Sequence, residues 1–296
     1  MGTVETPELK SIVNRKRPSP LDKVYYPKRK PAEGKAMTAI AGFRCNDGVI
    51  LCADSELNYG DVKTHINKIR VYGNPTTPVR GALTGAGDWD DIQRVMDYTE
   101  AAWPSILDGS DFVATVEGKV KEIHEQKHSK GWDGVSVVAV YWKKEPPAQV
   151  FKFTDTGSVR VHNFTCDGMG SVLGLFLAGT LHEDSMSLRQ GVCLAAYILN
   201  VADKFGSLCG GLGNILTLTD QGCMDFEMDW DMQAMREFFE RLPSALRPII
   251  LEAPDNSVSR ASFSDALQLF IGRLTKLRKQ AETHSYDRAE KYGHLD

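Results

Sequence analysis

The sequence predicts an α+β fold, a four-layer αββα sandwich, on three observations. Apolar, β-branched stretches of strand length occur in two main runs. Each run is followed by a pair of segments with helical apolar spacing. Asp-Gly and related dipeptides punctuate the strands as hairpin turns. The order is strands, two helices, strands, two helices, strands, and such blocks suit two sheets enclosed between two helical layers.

Thr38–Cys45 reads as the first strand, Asn46-Asp47-Gly48 as a turn with Gly48 supplying positive φ, and Val49–Asp54 as a second strand apolar on both faces. A polar loop is expected to about Lys63, then short strands at Ile66–Tyr72 and Val79–Thr84. Asp88 reads as the N-cap of a helix carrying Ile92, Val95, Met96 and Tyr98, closed by Pro104 and Gly109. Asp111 is expected to cap a second helix, with Phe112, Val113, Val116, Val120 and Ile123 along one face. Val135–Trp142 reads as a strand, and Gln149–Thr154 with Val159–Phe164 as a hairpin about Asp155-Thr156-Gly157. Helices over Val172–Leu181 and Met186–Phe205 follow, then the glycine-rich run Gly206–Gly213 and a last hairpin about Asp220-Gln221-Gly222. The remainder reads as helical, with Leu267, Phe270, Ile271, Leu274 and Leu277 in one stripe.

Composition narrows the function. The 296 residues carry 35 Lys+Arg and 39 Asp+Glu, a net charge of −4, which argues against nucleic acid as the main partner. No stretch approaches the roughly 18 apolar residues of a membrane span, and the opening MGTVETPELK lacks the apolar core of a secretory signal. A cytoplasmic protein without membrane contact is expected. Six cysteines show no CxxC spacing and seven histidines no HExxH or HxH pair, so neither a metal, a cofactor nor a disulfide framework is expected.

Charge and proline divide the chain. Residues 1–36 hold nine Lys/Arg, four Asp/Glu and five of the thirteen prolines, leaving 26 basic against 35 acidic residues for the rest. Residues 1–37 are therefore expected to be a disordered extension, either a propeptide or a mis-assigned start. Residues 38–228 form the folded domain, and residues 229–296 a helical extension packing on or between subunits.

The run Thr38-Ala-Ile-Ala-Gly-Phe and Asp47-Gly48-Val-Ile-Leu-Cys-Ala-Asp54-Ser55 resembles the start of a mature proteasome β-subunit and of the related peptidase of bacterial two-component proteases. In that family of N-terminal nucleophile hydrolases a Thr opens the first strand and an Asp follows sixteen residues later, as Thr38 and Asp54 do here. Gly60 and Lys68-Ile69 match the glycine and lysine further on, with a loop two residues shorter. Gly85, before Ala86-Gly87-Asp88, resembles the glycine turn that supplies an oxyanion donor, and Asp167–Ser171 resembles the Gly-Ser-Gly turn entering the third helix.

The resemblance implies a threonine peptidase acting on peptides or unfolded protein inside a homo-oligomeric ring, with a partner ATPase as a further implication. Thr38 would be the nucleophile once it is N-terminal, its own α-amine serving as base. A free α-amine titrates at about 7.7–8.0, so a cation beside it is needed to favour the neutral form. Lys68 would supply that cation, Asp54 would hold Lys68, and the Gly85 N–H would face the oxyanion, a donor worth about 3 kcal/mol.

Some positions depart from the family pattern. The serine of Gly-Ser-Gly falls on Met169, with Ser171 two residues on, and the later Asp and Ser fall on Gly206 and Cys209. Ser171, Asp203 and Ser207 are the possible supporting residues. Met37 stands where self-cutting precursors have Gly. Two other readings stay open: a non-catalytic ring or scaffold subunit, and a non-proteolytic amidase or transpeptidase on the same fold.

Overall fold

A computed structural model describes residues 38–59, 62–73, 79–127, 134–143, 148–205, 209–211, 213–225, 235–243, 246 and 259–292. The expectations for the extension at residues 1–37 and for Met37, Gly60, Gly206 and Ser207 lie outside the described residues.

Two five-stranded antiparallel sheets carry the fold. The first runs β10-β1-β2-β11-β12, from Phe164–Gly168, Ala39–Cys45, Gly48–Ala53, Asn214–Leu218 and Cys223–Asp225. The second runs β5-β6-β7-β8-β9, from Arg70–Tyr72, Val79–Ala86, Ser136–Lys143, Gln149–Thr154 and Gly157–Val161. A separate hairpin, β3 (Glu56–Tyr59) and β4 (Val62–His65), lies where a polar loop was expected.

Strand alternation sorts most of the apolar residues of the two sheets into three large cores. Leu83, Val137, Ala139, Tyr141 and Phe153 face α1 (Trp89–Ala102) and α2 (Gly109–Lys127) through Ile92, Met96, Phe112 and Val116. Phe43, Ile50, Cys52 and Ile215 face α4 (Leu188–Phe205) and α3 (Ser171–Leu181) through Ala178, Ala195 and Ile198. Ile40, Val49, Leu51, Val138, Val140 and Leu216 fill the space between the sheets. The fold is therefore the four-layer αββα sandwich, and the continuous burial of β2 follows from its having a covered layer on each side.

Local chemistry moved several boundaries. The turn after β1 is a two-residue loop of Asn46 and Asp47, since Cys45 pairs with Gly48. Gly48 is a strand residue at ordinary φ; it is required because a Cβ there would meet the Leu218 carbonyl oxygen at 2.6 Å. Asp47 instead caps α4, accepting from the Leu188 N–H at 2.7 Å. Helix α2 is entered from Asp108, whose Oδ1 accepts from the N–H groups of Ser110 (2.7 Å) and Asp111 (3.1 Å), and not from Asp111. The stretch expected as one strand over Val159–Phe164 is divided: His162 and Asn163 carry the chain from β9 in one sheet to β10 in the other, where β10 pairs with β1.

Past the sandwich, a helix over 235–243 (α5) lays Met235 and Phe239 against the α3–α4 core. Helix α6 spans Arg260–Tyr292, and Leu267, Leu269 and Ile271 on it are exposed.

Helix α1 offers a direct test of its N-cap. Asp88 accepts from the Asp90 and Asp91 N–H groups at 3.0 and 3.4 Å. Asp88→Ala should destabilise the domain by about 1 kcal/mol, read as a lower urea midpoint at unchanged slope.

Candidate active site

At one end of the sandwich the strands deliver a buried cation to a hydroxyl. The Lys68 Nζ donates to Thr38 Oγ1 at 3.1 Å, to Asp54 Oδ1 and Oδ2 at 3.1 and 3.2 Å, and to the Glu56 carbonyl oxygen. Thr38 leads into β1, Asp54 directly follows β2, and Glu56 opens β3. Thr38, Asp54 and Lys68 are 1%, 3% and 0% exposed, so bulk water does not screen the arrangement.

A break in the backbone aims Lys68. Ile66–Tyr72 reads as a strand, yet only Arg70–Tyr72 pairs. The Asn67 Oδ1 accepts from the Ile69 N–H at 2.9 Å, a local turn that competes with the ladder and swings Lys68 inward.

Asp54 is held from three directions. Its Oδ1 accepts from the Ala39 N–H at 2.9 Å, its Oδ2 from the Gly210 N–H at 3.3 Å, and Lys68 bridges both oxygens. Burial pushes the Asp54 carboxyl above its ordinary range and pulls the Lys68 ammonium below its own, and each partner's charge opposes the other's shift. An ammonium held by Asp54 and donating to the Thr38 hydroxyl polarises that hydroxyl.

The other expected residues lie as follows. Gly85 lies in β6 opposite Val137, and a Cβ there would meet Ile92 at 2.8 Å, so its lack of a side chain admits helix α1. Asp203 is ion-paired to Arg236 at 2.6 Å, not to the Thr38 group. Ser171 opens α3, and among the described residues no hydrogen bond joins its hydroxyl to Thr38, Asp54 or Lys68. Met169 is 55% exposed.

Three nearby residues make contacts that the sequence did not reveal. Gly210 donates to Asp54, and its backbone carbonyl accepts from Ser55 and Glu56. A side chain at Gly210 would collide with Glu56 Oε2; the glycine-rich run was the available signal. Cys209 packs on Ala39 and Ala202 beside the Lys68–Asp54 pair, where burial and Asp54 push its thiol up to about 12. Asp167 binds Ser136 Oγ, Lys152 and the Gly168 N–H, each at 2.6 Å. Among the described residues there is no cluster of His, Cys, Asp or Glu suited to a metal.

A four-layer αββα sandwich with a buried threonine–lysine–aspartate group at its sheet ends defines the class, the proteasome-type N-terminal nucleophile fold. The proteasome subunit family model matches residues 35–211, more than half of the chain, and the chain belongs to that family. Proteasome subunit beta 2 of Pyrococcus furiosus is 22% identical over 197 residues, covering 64% of this chain and 90% of its own length. Proteasome subunit beta 1 of Thermococcus onnurineus is 24% identical over 194 residues, covering 64% and 93%. Among solved structures, Anbu (ancestral beta-subunit) from Yersinia bercovieri superposes with a TM-score of 0.63 at 11% identity, over 71% of this chain and 96% of its own. The helical assembly of the Anbu complex from Pseudomonas aeruginosa gives a TM-score of 0.62 at 15% identity, over 75% and 99%. At these identities the structural likeness speaks for the fold.

Two outcomes follow from the geometry. Lys68→Met leaves Asp54 buried without its counter-charge and should cost about 3–5 kcal/mol of stability, whereas Lys68→Met with Asp54→Asn should recover much of it in a denaturant titration. Cys209, buried and held protonated, should resist alkylation by iodoacetamide in the folded protein at pH 8 and react only after unfolding; fast labelling of the native protein would contradict its placement.

Proposed function

We propose that this chain is a threonine-type peptidase or amide hydrolase, with Thr38 as its nucleophile within a self-compartmentalising homo-oligomer. The observation that carries the reading is the 3.1 Å contact from Lys68 Nζ to Thr38 Oγ1, with Asp54 holding the same ammonium. After cleavage before Thr38, the new α-amine would take the hydroxyl proton while Lys68 polarises the oxygen and favours the neutral amine. Attack on the substrate carbonyl gives a tetrahedral oxyanion. Its collapse breaks the C–N bond as the α-ammonium passes its proton to the leaving amine, leaving an ester to Thr38. The amine, neutral again, takes a proton from water, which attacks the ester, and then returns that proton to the Thr38 oxygen as the acid product leaves.

A cavity of about 350 Å³ has a mixed lining, with Leu57, Ile69 and Trp89 beside Thr64, Asn67 and Arg70; it includes both sequence neighbours of Lys68 and offers a seat for a substrate side chain. A cytoplasmic setting and an ATPase partner that feeds unfolded protein belong with this reading.

Apolar surface supports assembly. On α3, Val172 is 77% and Phe176 68% exposed, with Leu175 and Leu181 beside them. A patch of that kind suits contact with further copies, and closed symmetry is the usual soluble outcome. A second reading, a non-catalytic subunit of the same assembly, draws on exposed Met169 and on Cys209 standing where the family pattern has polar support.

Protein from the native host should show Thr38 at its N-terminus by intact mass and end-sequencing; retention of residues 1–37 favours the non-catalytic subunit. Thr38→Ala should abolish hydrolysis of a fluorogenic peptide while leaving the fold intact, and Lys68→Ala should lower it by about 10²-fold or more across pH 6–9. Light scattering should give at least six copies of the 32.8 kDa chain, and Val172→Asp with Phe176→Asp should reduce the assembly. A stable wild-type monomer at micromolar concentration would count against the enclosed peptidase.

A further inference from the structure

We propose that Asp167 is a positioning residue that fixes the separation between Thr38 and the Gly85–Ala86 end of β6. The inference rests on the reading of Thr38 as the reacting residue.

Asp167 is the penultimate residue of β10, in the first sheet. Its Oδ2 accepts from Ser136 Oγ and from Lys152 Nζ, both at 2.6 Å, and these residues stand on β7 and β8 of the second sheet. One carboxylate therefore ties together two sheets that are otherwise joined here by apolar packing. Apolar contact has no preferred direction and permits small sliding, whereas short charge-assisted hydrogen bonds fix distance and angle. Burial works against the charge on Asp167, but the bonds from Lys152, Ser136 and the Gly168 N–H together hold its carboxyl below the usual range, so the tie is ionic at neutral pH.

The tie reaches Thr38 through one residue. Asp167 Oδ1 accepts from the Gly168 N–H at 2.6 Å, which fixes that peptide plane. Gly168 pairs with Ala39 and sits at φ +80°, and a Cβ there would collide with the Thr38 carbonyl oxygen. The same Cβ would lie 3.3 Å from the Ala86 side chain, and Ala86 pairs with Ser136. A closed circuit results: Ser136 to Asp167, to Gly168, to Thr38 on one side and Ala86 on the other, and back to Ser136 along the β6–β7 register. Among the described residues no hydrogen bond or ion pair joins Asp167 to Thr38, Asp54 or Lys68. It acts by setting where the first strand's Thr38 lies against the strand end expected to hold the oxyanion.

The test uses the full chain from the native host and a fluorogenic peptide amide, with Thr38→Ala as the zero of activity. Asp167→Ala should lower kcat by about 10- to 100-fold with KM changed by less than about twofold, the pattern of a misaligned reacting group. Asp167→Asn, whose single amide oxygen can still accept from the Gly168 N–H while its amide N–H2 turns to donate to Ser136 Oγ, should recover part of the loss. Ser136→Ala and Lys152→Met should each fall between, and adding Ser136→Ala to Asp167→Ala should cost little more, because the circuit is already open. Amide hydrogen exchange should quicken at Ala39 and Gly168 in Asp167→Ala and stay unchanged at Val116 and Val120 in α2. Wild-type kcat in Asp167→Ala, or a loss accompanied by faster exchange throughout, overturns the positioning role while Thr38-dependent turnover in the wild type keeps the reading of Thr38. Absence of Thr38-dependent turnover in the wild type overturns that reading, and the positioning role with it.

Discussion

The fully buried ammonium of Lys68 is the constraint around which the site end of the molecule is arranged. A cation removed from water must find acceptors for its three protons, and here they come from three places on the chain: the Thr38 hydroxyl, the Asp54 carboxylate and the Glu56 carbonyl. Asp54 in turn is a buried anion that Lys68 alone does not satisfy, so Ala39 and Gly210 bring N–H groups to it. The start of β1, the end of β2, the start of β3, the segment before β5 and the segment after α4 converge for this reason. Their convergence has a packing consequence: glycine at 168 lets its backbone lie against the Thr38 carbonyl, and glycine at 210 leaves room for the Glu56 side chain.

The layers away from the site are governed by burial instead. Each sheet has an inward face shared with the other sheet and an outward face covered by two helices, and the alternation of residues along β6, β7 and β8 serves both faces at once. Small residues appear where a helix presses closest, as at Gly81 against Trp103 and Gly85 against Ile92. The same layering leaves α3 with more apolar residues than its sheet can cover, since a helix offers the sheet only one stripe and Val172, Leu175 and Phe176 fall on the others. The apolar residues Leu267 and Ile271 on α6 are uncovered as well.

Polar chemistry at the inter-sheet edge differs in kind from the Lys68 group. Asp167 and Lys152 are only half-buried, and their bond with Ser136 joins the sheets without contributing to the reacting set. The Lys68 group gathers buried charge around one hydroxyl, whereas the sheet-edge group holds one sheet against the other through directional polar bonds.

The sequence by itself determined the layer order, the family resemblance and the grouping of Thr38, Asp54 and Lys68, because these depend on local periodicity and on fixed spacing near the start of the domain. Strands of alternating or continuous apolar character and capped amphipathic helices announce themselves over a few residues, and the interval from Thr38 to Asp54 is set by one hairpin. What only the tertiary structure decided involves contacts between segments far apart in the chain. Nothing near Gly210 in sequence points to Asp54, more than 150 residues away; nothing near Asp167 points to Ser136 and Lys152 on another sheet; and the pairing of Asp203 with Arg236 depends on where α5 lies. The hairpin at β3–β4 and the crossing between β9 and β10 were illegible for a related reason: short polar strands become strands only when a partner is present to accept their hydrogen bonds.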